Sequence, residues 1–196
     1  IFDNNKDYFD IAKKYQNNDI SCLSILTDEN FFKGSDSDLV GIREIVDIPI
    51  IRKDFILDSY QLYESKMLGA DCILLILSMI DINLAKDLEA EAMDIGLDVL
   101  IETHNKEEMD NALTMKSELV GVNNRNLNDF TVDIDNTISL TDTSVRDKIY
   151  VSESGIKSRS DINYLVDKSP ARTFLIGESL MRSERLEEQI RTLLSF

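Results

Sequence analysis

The stretch Ile48-Pro49-Ile50-Ile51-Arg52-Lys53-Asp54-Phe55-Ile56-Leu57-Asp58 sets two cations and a carboxylate directly behind a short apolar run. Ile48, Ile50 and Ile51 have the β-branched character of a buried parallel strand. Arg52, Lys53 and Asp54 therefore fall where that strand ends and a loop leads to the next helix. In an α/β barrel this end of a strand carries the chemistry. Taken alone, an Arg-Lys pair behind a strand is an ordinary solvated loop. The balance shifts because strand after strand in this chain ends in polar groups.

Upstream, Lys6–Asn17 has helical spacing at Tyr8, Phe9, Ile11, Ala12 and Tyr15. A strand over Ile20–Leu26 and a helix over Ser37–Val46, capped by Asp36 or Ser35, precede the opening stretch. Downstream come a helix over Ser59–Leu68 stopped by Gly69, a strand over Asp71–Leu77 and a helix over Ile82–Ile95 stopped at Gly96. Then follow strand Asp98–Glu102, helix Lys106–Met115, strand Leu119–Asn123 and helix Asp135–Leu140. Strand Ile149–Glu153, helix Arg159–Val166, strand Ala171–Ile176 and helix Glu184–Leu194 complete the chain. Seven strands and eight helices alternate, beginning with a helix. Such alternation requires right-handed crossovers and a parallel sheet covered by helices. A doubly wound nucleotide-binding sheet would place a glycine-rich turn after its first strand, whereas here Gly34 lies well past Leu26. The expected fold is a (β/α)8 TIM barrel in one domain spanning 1–196, with its first strand absent.

At 196 residues and 43% hydrophobic, the chain can bury one substantial core. Its net charge of −16, from 37 acidic and 21 basic residues, repels a phosphate backbone and argues against nucleic acid. A small anion is still permitted, because distant charge is screened beyond ~8–10 Å. Cys22 and Cys72 sit in apolar runs and read as small core residues of a reducing compartment. The longest apolar run, Cys72–Ile80, is too short to cross a membrane, and the N-terminus has no signal-peptide pattern, so a cytoplasmic protein is expected.

The strand ends supply the candidate chemistry. Ser152-Glu153-Ser154-Gly155-Ile156 and Leu175-Ile176-Gly177-Glu178-Ser179 each place a small residue and a glycine behind an apolar strand. Backbone N–H groups exposed in such turns, in the loops after the last two strands, form the usual phosphate site of a barrel. Lys53 can protonate a carbonyl, Glu102 can exchange a proton, Asn123 can orient a hydroxyl, and Glu153 can hold Lys53 charged and in place. His104, beyond its strand and without an evident orienting partner, reads as a loop residue rather than a catalyst. No His, Cys or Asp cluster has metal-ligand spacing, so no metal is implied.

Seven motifs in this order, Ser24–Asp28 with Phe31–Ser35, Arg52–Phe55, Leu68–Asp71, Glu102–His104, Asn123–Leu127, Ser152–Ile156 and Ile176–Arg182, resemble indole-3-glycerol phosphate synthase, the ring-closing enzyme of tryptophan biosynthesis. The resemblance runs from about Phe2 to the C-terminus. It implies cofactor-free conversion of 1-(2-carboxyphenylamino)-1-deoxyribulose 5-phosphate to indole-3-glycerol phosphate with loss of carbon dioxide and water. It also implies Lys53 as general acid, Glu153 as its positioner, Glu102 for the proton transfers of dehydration, and Asn123 and Ser154 on substrate hydroxyls. Phe32, Phe55 and Leu74 would pack the anthranilate ring, and Arg125 would stand at the edge. Gly155, Gly177, Glu178 and Ser179 would line the phosphate loops, the last two mainly through backbone N–H.

Members of that family begin their barrel with a capping helix, a strand bearing a catalytic glutamate and lysine, and a Ser-Pro-Ser-Lys-Gly loop, none of which is present here. The expectation is that 1–196 is part of a longer chain, with roughly 40–60 residues upstream, a size taken from usual barrel lengths. The piece alone would be inactive. Two other functions fit parts of the pattern: another sugar-phosphate barrel such as phosphoribosylanthranilate isomerase, or a non-catalytic barrel serving as a binding or structural subunit. The expected partner is a small anionic sugar phosphate, with no nucleic acid and no membrane. The protein is expected as a monomer, open to fusion or association with other tryptophan-pathway enzymes.

Overall fold

A computed structural model of the chain describes residues 7–127 and 129–195. Phe2 and Lys6, which figure in the sequence reading, lie outside the described residues. The chain forms two compact units, one running to Leu75 and taking in Asn83–Val99, the other made of Ile76–Ile82 and the residues from Leu100 onward.

The first unit contains α1 (Tyr8–Gln16), β1 (Leu23–Leu26), α2 (Asp36–Arg43), β2 (Ile50–Lys53) and α3 (Tyr60–Leu68), then β3 (Cys72–Ile76) except its last residue and α4 (Ile82–Asp94) except its first. β1 and β2 pair in parallel from Leu23↔Ile50 to Leu26↔Lys53, and β2 pairs with β3 at Ile51↔Cys72 and Arg52↔Ile73. Helix ends follow local chemistry. Asp7 Oδ1 accepts the N–H groups of Phe9 and Asp10 to start α1, and Ser35 Oγ accepts that of Asp38 to start α2. Gly69, at φ 94°, ends α3 in the left-handed conformation that costs a side-chain-bearing residue most. Ala12, Leu23, Leu39, Ile42, Val46, Ile50 and Ala70 form a buried cluster between α1, α2 and the strands. Each fully buried leucine or isoleucine there contributes about 1.5–3 kcal/mol relative to exposure.

The second unit contains the rest of β4 (Asp98–Thr103), then α5 (Lys106–Ala112), β5 (Leu119–Asn123), α6 (Asp135–Leu140), β6 (Ile149–Glu153), α7 (Arg159–Lys168), β7 (Thr173–Leu175), α8 (Glu178–Met181) and α9 (Leu186–Leu194). Its strands also pair in parallel and in sequence order: Leu100↔Leu119 to Thr103↔Val122, Leu119↔Ile149 to Asn123↔Glu153, and Val151↔Thr173 to Glu153↔Leu175. A reciprocal capping box of Ser158 and Asp161 starts α7.

The seven expected strands are all present, with differences in length and in the helix count. The strand expected over Ile20–Leu26 starts only at Leu23, because Asn17–Asp19 form a turn, Asp19 has φ 59°, and Ile20 N–H bonds back to Tyr15 O. The strand expected over Ala171–Ile176 keeps only Thr173–Leu175. Nine helices stand among the described residues instead of eight, the additional one being α8, whose four residues are too few to show a helical period. Cys72 is buried as expected, but Cys22 is exposed, since it falls in the irregular lead into β1 and not in a strand.

Candidate functional site

In the first unit the end of β2 separates its two cations. Arg52, only 3% exposed, donates from Nε to Thr27 Oγ1 (2.9 Å), from Nη1 to Glu64 Oε2 (2.8 Å) and Ser65 Oγ (3.1 Å), and from Nη2 to Asp36 Oδ1 (3.1 Å) and Asp54 Oδ2 (3.2 Å). All five guanidinium N–H groups are thereby used, as a buried arginine requires. Burial, together with Glu64, Asp54 and Glu29, raises Asp36 above the usual carboxylate range despite Arg52. Arg52 is a structural lock for the loop. Lys53, the next residue, is half-buried, and strand alternation points it to the opposite face of the sheet.

Around this strand end the β1–α2 loop carries two aromatic rings. Phe31 and Phe32 hang their N–H groups on Asp28 Oδ2 (2.6 and 2.9 Å). Their ring centroids lie 5.8 and 6.0 Å from that of Phe55, the first edge-on and the second tilted. Phe31 is 75% exposed, a high value for an aromatic ring held in such a cluster. The loop closes tightly, because a side chain at Gly34 would run into the backbone of Leu26. Leu74 of β3 is fully buried. The aryl trio Phe31, Phe32 and Phe55 thus includes Phe31, which the sequence reading left unassigned although it adjoins Phe32.

In the second unit Glu102, Asn123 and Glu153 stand near or at the C-terminal ends of β4, β5 and β6. Asn123 Nδ2 donates to Glu102 Oε1 at 3.0 Å, and Asn123 Oδ1 accepts the N–H of Arg125 at 3.0 Å. Glu153, 1% exposed, has its carboxylate over Gly121, where an added Cβ would collide with Oε1. His104 corrects the sequence reading, which saw no orienting partner for it. Its Nε2 lies 3.2 Å from Glu102 Oε1 and its Nδ1 3.1 Å from Glu108 Oε2. Burial pulls the imidazole down, but hydrogen bonding and charge from Glu102 and Glu108 outweigh it and raise the ring from 6.5 to about 9. Glu108 in turn is held below its ordinary value by His104, against the upward effect of its own burial. The signal was available in the sequence: Asn105 and Glu108 are spaced as a helix cap, and Glu108 is four residues from His104.

Beyond β6 the chain turns through Ser154 at φ 64° and Gly155 at φ 84°. Two successive left-handed residues make a tight corner, which Ser154 adopts at a cost of about 1–2 kcal/mol. Asn124, completely buried, fixes that corner. Its Nδ2 donates to Ser154 O and Ser152 Oγ (both 3.1 Å), and its Oδ1 accepts from Thr137 N–H (3.1 Å) and Thr137 Oγ1 (2.9 Å). A Cβ on Gly155 would press on Val132 and Ile134. Ser179 Oγ donates to Ile156 O at 2.9 Å, tying the loop after β7 to the loop after β6. Gly177 faces open space, and Glu178 is engaged by Arg125 and Arg182, each at 3.0 Å. Asn124 was missed as a positioning group because its amide reads in sequence as one more loop residue. Among the described residues no three His, Cys, Asp or Glu side chains group as a metal ion would need, and no helix is long and apolar enough to cross a membrane.

Among solved structures, the chain is similar to one from the tryptophan synthase α2β2 complex of Pyrococcus furiosus (TM-score 0.67, 13% identity, covering 94% of this chain and 93% of that one). It is also similar to thiamine phosphate pyrophosphorylase from Pyrococcus furiosus (TM-score 0.71, 13% identity, covering 96% and 88%). At that identity the likeness speaks to fold alone, which is that of a (β/α) TIM barrel. Sequence relatives are more specific. The indole-3-glycerol phosphate synthase of Azospirillum brasilense is 46% identical over 185 residues, covering 94% of this chain and 70% of the relative. That of Burkholderia lata is 45% identical over 181 residues, covering 92% and 69%. The family model for indole-3-glycerol phosphate synthase matches residues 1–193. With strand-end groups of the expected kinds and a match of that extent, the chain belongs to the indole-3-glycerol phosphate synthase family.

Proposed function

We infer that the protein is an indole-3-glycerol phosphate synthase, a carboxy-lyase acting on a small phosphorylated substrate. It closes the indole ring of 1-(2-carboxyphenylamino)-1-deoxyribulose 5-phosphate with loss of carbon dioxide and water. The observation that carries this reading is the family match over 1–193 together with 46% identity to a relative of that name. Lys53 protonates the ketone as the aromatic ring attacks, and Glu153 is assigned to keeping that acid charged and in place. Glu102 moves protons in the dehydration, and its shared hydrogen bond with Asn123 supports their acting together. Asn123 and Ser154 bind substrate hydroxyls, Phe32, Phe55 and Leu74 hold the aryl ring, and Arg125 stands at the edge. Backbone N–H groups around Gly155, Gly177, Glu178 and Ser179 hold the phosphate. The link from Ser179 to Ile156 and the left-handed corner at Ser154 and Gly155 support a preformed loop pair for that purpose. The same reading has the enzyme act in the cytoplasm as a monomer, alone or joined to other tryptophan-pathway enzymes.

The test is turnover of the carboxyphenylamino substrate by the full-length protein, followed by the fluorescence of the indole product. Appearance of indole-3-glycerol phosphate with release of carbon dioxide is expected. A folded full-length protein that binds the substrate yet forms no indole would overturn the reading.

A further inference from the structure

The half-buried histidine of the second unit has no part in the proposed chemistry, yet both of its ring nitrogens lie close to carboxylate oxygens. Nε2 is 3.2 Å from Glu102 Oε1, and Nδ1 is 3.1 Å from Glu108 Oε2. Nδ1 and Glu108 Oε2 are placed for a hydrogen bond, whereas Nε2 and Glu102 Oε1 stand at ion-pair distance without hydrogen-bond geometry. The ring is also placed from behind. His104 N–H donates to Glu108 Oε2 at 2.7 Å, Asn105 Nδ2 donates to Glu108 Oε1 at 2.6 Å, and Glu108 N–H donates to Asn105 Oδ1 at 3.0 Å. The cap of α5 therefore fixes Glu108, Glu108 fixes His104, and His104 faces the same Oε1 of Glu102 that accepts from Asn123. A carboxylate that is 2% exposed requires such company, since burying one without a counter-charge is expensive.

We propose that His104 is a positioning residue for the reaction, holding the Glu102 carboxylate, together with Asn123, at its Oε1. This rests on the reading in which Glu102 carries out proton transfers. Two partners on one carboxylate oxygen limit its movement, and catalysis by a proton-transferring group depends on angle as much as on distance. The ionisable groups set against the ring are Glu102 from β4 and Glu108 from α5, while Asn105 and Asn123 contribute neutral amides. Their combined pull keeps the ring charged at neutral pH.

His104 is the single histidine of the sequence, so its imidazole signals can be assigned in an NMR titration of the wild-type protein without ambiguity. The expected midpoint lies well above the ordinary 6.5, and Glu102→Gln should lower it by a unit or more. In turnover assays His104→Ala should reduce kcat by roughly 10–100-fold with little change in KM, and His104→Gln, which retains a donor toward Glu102, should recover part of the loss. An imidazole that titrates near 6.5 and ignores Glu102→Gln would overturn the proposal. So would a His104→Ala enzyme with wild-type kcat. Should the wild-type protein form no indole product, the functional reading fails, and the titration still decides whether His104 holds Glu102.

Discussion

At the scale of single residues, the side chains differ in how firmly their surroundings commit them to one task. Lys53→Ala should lower turnover by at least the ~10²-fold typical of a positioned acid while leaving inorganic phosphate binding nearly intact. Lys53→Arg should fail as well, since a guanidinium holds its proton too tightly near neutrality. Steady-state kinetics alongside phosphate titration would separate these effects, and near-normal kcat in either variant would remove Lys53 from the mechanism. Gly121→Ala should push the Glu153 carboxylate aside, because the new Cβ would occupy the place of Oε1 and lie 3.4 Å from Leu100 Cδ1. We expect a stability loss of about 1–3 kcal/mol by urea denaturation, together with a fall in kcat. For His104 the sign follows from a folded-state value of about 9 against the ordinary 6.5. Its contribution to stability is fully present below about pH 6.5 and fades as pH rises toward about 9. The gap in melting temperature between wild type and His104→Gln should close over that interval, and a gap independent of pH would contradict it. Glu102, Asn123 and Glu153 were legible as strand-end groups because apolar runs stop at or beside them. The partnership of His104 escaped because it depends on a cap of α5 that brings Glu108 back over the strand end.

At the scale of elements, the parallel strands were readable from β-branched runs, and helix ends from Ser35 and Gly69. Irregular backbone was not. The lead into β1 leaves Cys22 exposed, and the single helical turn α8 hides in a glycine-bearing loop. Nor did the sequence reveal that Arg52, adjacent to Lys53 in one strand, is buried and bound on every side by its own unit. Arg52 joins β2 to Thr27, α2 and α3 through a full set of charge-assisted hydrogen bonds. Arg52→Ala would leave Asp54 and Glu64 without their cation and should cost about 3–5 kcal/mol in chemical denaturation. Arg52→Lys should recover little of it, because one ammonium cannot reach five acceptors. A stability loss below 1 kcal/mol for Arg52→Ala would show that the lock is dispensable.

At the scale of the whole molecule, a net charge of −16 surrounds a site proposed for an anion. Distant carboxylates repel the phosphate, while local N–H groups and cations hold it, and salt screens the first effect over about 8–10 Å. Values of kcat/KM should therefore stay level or rise as ionic strength goes from about 0.05 to 0.3 M. A steep fall would mean that long-range attraction, which the composition denies, governs encounter. The opposite facing of Arg52 and Lys53 also has a genetic consequence. Loss of one codon from Ile50–Ile51, with the rest of β2 kept in the sheet, would turn each following side chain to the other face. The lysine would then be offered to carboxylates that need a forked guanidinium, the arginine would fall at the position of Ile51, and Asp54 would take the place of the proposed acid. In this strand a shortening by one residue acts as a double replacement, so natural length variation should be confined to the loops on either side of it.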